Sequence, residues 1–252
     1  MKIKQTILAI NIVIALTSTM AFGHGTSEDP FTKALQSEQR SQVDRDRDAG
    51  RKPEKVMQFF GIEQGMTVLE VLSSGGYYTE VLSHRVGTTG KVIAQNNKFI
   101  LEVFDGRFAK EFEKRIAKQR LANVSHYKKE FGEFDLDNEV DAAMIVLNYH
   151  DLYSSAAKEK RMNILAQLKK SLKPGGILGI IDMESNAKEH NPKLHRVNQA
   201  YVKKELAEAG FELDAEAAFL RNPDDDYSKV VFDPAVLGKT DRFVLRFKKR
   251  IS

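Results

Sequence analysis

Residues 68–76 read VLEVLSSGG, and this stretch decides the fold. Val68, Leu69 and Val71 make a buried strand. Glu70 stands near its end, and Ser73, Ser74, Gly75 and Gly76 make a small-residue turn. A buried strand that ends in an acid and runs into such a turn is the usual build of a nucleotide-like cofactor site. Small residues let a ligand approach the backbone, and the N-terminus of the next helix offers free N–H groups. Glu70, Ser73, Gly75 and Gly76 are therefore candidate cofactor contacts. A bulky side chain at position 76 is expected to block ligand and to leave folding intact.

Outward from this turn, strands and helices alternate. Strands are expected over 67–72, 91–95, 124–128, 140–147 and 177–182, with two more over 212–219 and 242–247. Residues 140–147, VDAAMIVL, are almost continuously apolar, as a central parallel strand buried on both faces should be. Helices are expected over 54–60, 78–86, 97–120, 156–172 and 197–209. In the 97–120 stretch Ile100, Phe104, Phe108, Phe112 and Ile116 recur at steps of four, which predicts one continuous apolar stripe against a sheet. Strand–helix alternation implies an α/β fold, a doubly wound and mostly parallel seven-stranded sheet that ends in an antiparallel pair. No internal repeat is present.

In such sheets ligands bind beyond the carboxyl ends of the strands, which directs attention to two further loops. Gln95 and Asn96 follow the second strand. Their amides can bond ribose hydroxyls or can serve the following helix as caps, and both readings stand. Asn148, Tyr149, His150 and Asp151 follow the fourth strand, at the mouth of its most apolar run. A histidine beside a carboxylate can act as a general base; Asp151 can equally cap the next helix. Tyr149, His150 and Asp151 are the candidate catalytic residues. The segment around Arg45 and Asp48 joins them if the N-terminal helix folds over the site. His190 and His195 are five apart, on different faces of a helix, and the chain has no cysteine and no HExxH. No metal site is expected.

The N-terminus carries a different message. Lys2 and Lys4 precede an apolar core over 7–16, and small residues including Ala21 and Gly23 follow. This is the pattern of a secretory signal peptide, too short for a membrane span. Cleavage after Ala21 or Gly23 is expected, and the product is an exported protein, periplasmic in a Gram-negative cell. The expected domains are a signal peptide (1–23), an N-terminal leader and helical segment (24–52) and one α/β domain (53–252). Lys+Arg total 39 against 35 Asp+Glu, a net charge of +4. Residues 1–23 hold two of the lysines and no acid, so the mature chain carries +2. That is no electrostatic footprint for nucleic acid.

The ordered motifs VLEVLSSGGYYTEVL (68–82), GKVIAQN (90–96), VDAAMIVLNYHDLY (140–153) and LKPGGILGIID (172–182) resemble those of class I S-adenosylmethionine-dependent methyltransferases. More narrowly, DRDRDAGRKPEKVMQFFGI (44–62), NYHD (148–151), LHRVN (194–198) and FLRNP (219–223) resemble a group of exported methyltransferase-like proteins. The resemblance implies S-adenosylmethionine as cofactor. It makes Glu70 the strand-end acid and Gly76 the last turn glycine. Gln95 and Asn96 stand where an acid usually grips the ribose, and Glu130 and Phe131 where adenine is contacted. Asn148 to Asp151 occupy the loop that faces the methyl group. Leu72 and Ser74 replace two usual glycines. With only short insertions and no added module, a small-molecule acceptor is expected. The alternative is a binding protein on the same fold that has lost or changed its cofactor. An enzyme of another type centred on His150 ranks behind both, since no GxSxG elbow is present.

Overall fold

A computed structural model describes residues 29–250; the expected signal peptide and its cleavage site lie outside them. Three helices come first: α1 (Pro30–Gln36), α2 (Gln42–Arg51) and α3 (Pro53–Phe60). The alternating part follows as β1 (Thr67–Val71), α4 (Tyr77–Val86), β2 (Lys91–Gln95), α5 (Lys98–Ile116), β3 (Val124–Tyr127) and β4 (Val140–Val146). It continues with α6 (Tyr149–Ser155), α7 (Lys158–Ser171), β5 (Leu172–Met183), α8 (Gln199–Glu208), β6 (Phe211–Ala217) and β7 (Arg242–Lys249).

The seven strands form one sheet in the order β3-β2-β1-β4-β5-β7-β6. Pairing is parallel from β3 to β5, and β7 runs antiparallel to both β5 and β6. The expected fold is the one observed. β1 and β4 lie side by side, so the loops after Val71 and Val146 open at the same edge. Apolar side chains alternate between two cores. Leu69, Val71, Ala143 and Ile145 face the core shared with α6, α7 and α8; Val68, Ala142 and Met144 face the one shared with α1, α3 and α4. This two-sided burial is why 140–146 needed no polar alternation. Among the described residues no helix is long and apolar enough to cross a membrane.

The stripe expected along 97–120 is broken. Val103, Phe104, Asp105 and Gly106 leave helical geometry, the last three with positive φ. Phe99 and Phe104 are exposed, and of the stripe only Ile100 and Phe112 are buried. The break turns the second half of α5 across the start of α4. The helix expected over 156–172 is α7, preceded by an additional short helix, α6, and Pro192–Leu194 form a 3-10 turn.

Candidate active site

The turn after β1 keeps the backbone shape of a glycine-rich turn although Leu72 and Ser74 stand at two of its left-handed positions. Leu72 (φ 53°), Ser74 (φ 52°) and Gly76 (φ 81°) are all left-handed. Side chains there cost roughly 1–2 kcal/mol per residue, so something must hold the shape. Gln95 and Asn96 do. Gln95 Oε1 accepts the Leu72 N–H at 2.9 Å and its Nε2 donates to the Lys129 carbonyl at 2.8 Å. Asn96 Oδ1 accepts the Ser74 N–H at 2.8 Å and its Nδ2 donates to the Ser74 carbonyl at 3.3 Å. Both side chains are fully buried. The two amides expected to meet ribose are spent on the turn instead, and the helix cap is Asn97, which accepts the Ile100 N–H.

Gly75 and Gly76 lie beneath the second half of α5. A Cβ on Gly75 would overlap the Glu111 carboxylate, and one on Gly76 would meet Phe112 at 3.0 Å and Arg115 at 3.1 Å. Arg115 Nε donates to the Gly75 carbonyl at 2.9 Å, and its guanidinium pairs with Glu80 and Asp44. At position 76, where φ is also positive, the protein's own packing leaves no room for a side chain, which corrects the expectation that bulk there would spare folding. The N-terminal helices do fold over this end of α4. Tyr77 Oη donates to Asp48 Oδ1 at 2.5 Å, and Arg40 clasps the same carboxylate. Arg45 is turned away, donating to the Ser37 and Arg40 carbonyls.

Glu70 is buried at the strand end and accepts the Thr79 hydroxyl at 2.5 Å. Burial raises its pKa to about 8, against the opposing Thr79 bond and the charges of Arg115 and Arg51. Glu130 is exposed and accepts the Lys98 N–H at 2.7 Å, while Phe131 packs beside Phe134. Both stand near the end of β2, since the Gln95 amide reaches the adjoining Lys129 carbonyl.

A second group gathers beyond β4 and β5. Leu147 is also left-handed (φ 58°) and turns the chain into α6. Asn148 Nδ2 reaches back to the Leu72 carbonyl at 3.1 Å and so ties this loop to the turn after β1. His150 is buried. Its Nδ1 meets Asp182 Oδ1 at 2.7 Å, its N–H donates to Asp182 Oδ2 at 2.8 Å, and its Nε2 lies 3.3 Å from Asp151 Oδ1. Burial opposes a charge on His150, but the Asp182 and Asp151 carboxylates outweigh it and raise the pKa to about 10. Such an imidazole already carries its proton at neutral pH, which corrects its reading as a resting general base. Tyr149 is also not at the mouth. It points into the core, where its hydroxyl donates to Glu205 at 2.5 Å, because α6 begins at this residue and turns its first side chain inward.

His195, which the sequence reading set aside with His190, and Asp182, which it did not single out, complete the group. His195 Nδ1 lies 3.1 Å from Asp151 Oδ1, and its ring meets those of His150 and Phe232 at 5.4 and 4.9 Å between centroids. The side chains of His195 and Asp151 are 36% and 46% exposed, against 3% for His150. The signal was available: both histidine-bearing loops follow strand ends, where ligands bind. A surface hollow of about 620 Å³ lined by Ser83, Gly87, Lys91 and Asn123 lies at the starting ends of β2 and β3, away from all of this chemistry.

Residues 49–211 match the family model of protein-L-isoaspartate(D-aspartate) O-methyltransferases. The chain belongs to this family. A search of curated proteins finds no match. Among solved structures, the chain is similar to an S-adenosylmethionine-dependent methyltransferase of Aquifex aeolicus (24% identity, 88% of this chain and 100% of that one, TM-score 0.62). It is also similar to the [4+2]-cyclase SpnF (16%, 86% of each chain, TM-score 0.58) and to a possible exported protein of Bordetella parapertussis (12%, 82% and 68%, TM-score 0.52). At these identities the likeness is one of fold.

The family makes the protein a methyltransferase with S-adenosylmethionine as its cofactor. The turn fits that cofactor on one side. Ser73 Oγ is buried there without a hydrogen-bond partner among the described residues, and a buried hydroxyl rarely stays unpaired. The first N–H groups of α4 adjoin it. On the other side, at Gly75 and Gly76, Glu111 and Arg115 already fill the space.

Proposed function

We propose that this protein is exported and transfers a methyl group from S-adenosylmethionine to a small molecule bound against Asp151 and His195. The observation that carries this reading is the Asn148–Leu72 hydrogen bond, which fastens the cofactor turn to the histidine-bearing loop. Acceptor and cofactor are thereby held one strand apart, and methyl transfer asks of a protein mainly alignment.

Bound S-adenosylmethionine supplies an activated methyl on a sulfonium. Ser73 Oγ and the first N–H groups of α4 would hold it, with Glu70 neutral behind them. His150, kept charged by Asp182, holds Asp151 ionised. Asp151 in turn orients His195 through Nδ1, which leaves Nε2 to receive the acceptor's proton. A small acceptor suits the segment 218–241, which is packed against the site through the buried Arg196–Asp225 pair and Phe232. Among the described residues, the loops after β4 and β5 carry no separate module for a larger one.

Calorimetric titration with S-adenosylmethionine and S-adenosylhomocysteine tests the reading. Binding of both with one site per chain is expected, and Ser73→Ala should weaken it. The second reading is a binding protein on the methyltransferase fold; the burial of Gln95 and Asn96 and the cover over Gly75 and Gly76 favour it. Absence of heat with either compound would decide for that alternative. Export is checked separately. The intact mass of protein from the cell envelope should correspond to a chain beginning at Phe22 or His24.

A further inference from the structure

We propose that His150, Asp151 and His195 form a binding site for one divalent transition-metal ion. Each offers one ligand atom, and the three lie within 4.8 Å of one another; the ion takes the place of the proton that His150 Nε2 holds toward Asp151 in its absence. Two of the separations are 3.3 Å (His150 Nε2 to Asp151 Oδ1) and 3.1 Å (His195 Nδ1 to Asp151 Oδ1). An ion with bonds of about 2.1 Å spaces its ligands roughly 3.0–3.5 Å apart, so the observed gaps need little closure.

The surroundings have the features of a metal centre. Ligating histidines generally give their other ring nitrogen to a carboxylate, which fixes the ring and raises its basicity. His150 does this with Asp182 at 2.7 Å, and Asp182 is itself locked by the His150 and Met183 N–H groups. Asp151 and Asp182 together offer two negative charges to a dication. Two imidazoles and one carboxylate leave several coordination positions open, the donor set that suits Zn²⁺, Mn²⁺ or Fe²⁺ rather than Ca²⁺ or Mg²⁺. His150 forms the buried floor, and the half-exposed Asp151 and His195 leave the open positions toward solvent. His190 lies outside the set, since its Nε2 meets Ser154 Oγ at 2.9 Å.

The inference goes beyond methyl transfer and does not depend on it. With an ion in place His195 is a ligand, and an acceptor oxygen or nitrogen would bind the ion instead of giving its proton to His195. The two uses of the cluster exclude each other.

The test uses the untagged mature chain after chelator treatment, without cofactor. Zn²⁺ is titrated by calorimetry and Co²⁺ by visible absorption. One ion per chain is expected, with Co²⁺ bands of a nitrogen–oxygen ligand set. His195→Ala and Asp151→Asn should each weaken binding by about 10²-fold, and Asp182→Asn by roughly 10–100-fold, while His190→Ala leaves it unchanged. Circular dichroism checks each fold, and Asp151→Asn, at a half-exposed position, carries the test should His195→Ala unfold. No stoichiometric binding of either ion, or binding that survives both ligand substitutions, overturns the proposal. Either result is independent of whether S-adenosylmethionine binds.

Discussion

Asn96 holds Ser74 by both of its backbone groups, accepting its N–H at 2.8 Å and donating to its carbonyl at 3.3 Å. A residue at φ 52° is thus clamped where the family pattern has glycine. Ser74→Gly removes the steric cost of the left-handed backbone and forfeits only the 3.2 Å bond from Ser74 Oγ to the Leu72 carbonyl. The variant should be more stable by up to about 1 kcal/mol, read from denaturant midpoints. Asn96→Ala should do the opposite, by about 1–3 kcal/mol for the buried groups it leaves unpaired. A stabilised Asn96→Ala would show that the clamp is incidental.

Gly76→Val should damage folding as well as binding. It places a β-branched residue at φ 81° against Phe112 and Arg115, and a cost of about 2 kcal/mol or more follows. Thermal melts should show a drop of many degrees. An unchanged melting temperature would mean that α5 moves aside freely.

Glu70 should give stability a pH dependence. Its folded value of about 8 lies above its ordinary value of 4.5, so between those limits the folded chain holds a proton that the unfolded chain has released. The stabilising contribution is complete below pH 4.5 and is lost as pH rises through 8. Glu70→Gln removes this slope, and its advantage over the wild type should grow from pH 5 to pH 9. Parallel slopes for the two proteins in melts across that range would show Glu70 to be ionised when folded.

His150→Ala tests the buried pair before it tests catalysis. It leaves the Asp182 carboxylate fully buried without its cation, a change that costs on the order of 3–5 kcal/mol. His150→Gln, which can still donate to Asp182, should recover part of this in urea unfolding. Turnover lost in His150→Ala is informative only where His150→Gln folds and is also inactive.

Much of this was legible in the sequence. The strands could be placed because a doubly buried sheet demands unbroken apolar runs, as in 140–146, and the turn after β1 because a strand end, an acid and small residues coincide there. The break in α5 was not, since a step-of-four pattern continues through it. Gly106, a poor helix former in mid-pattern, was the one local warning. Tyr149 and His150 are neighbours with opposite fates, fixed by the residue at which α6 starts, a boundary no periodicity specifies. His195 reaches Asp151 only because Pro192–Leu194 form a 3-10 turn with His195 left-handed at its end. A helix, which the spacing assumed, would have pointed it elsewhere. The pairings of Gln95 and Asn96 with the turn depend on β1 and β2 lying in register, with Glu70 opposite Ala94.

The clasp of Arg40 and Tyr77 on Asp48 has a bearing on where this protein can be cut. The family match begins at residue 49, immediately after the residue that joins α2 to α4. A chain shortened to that boundary would retain every sheet strand, yet Tyr77 would lose its acceptor, Arg115 would lose Asp44, and Phe31 and Leu35 would be stripped from the core they help close. The recognisable family segment therefore leaves out contacts that close this core. Residues 30–48, ahead of that segment, brace the helix that follows the turn after β1.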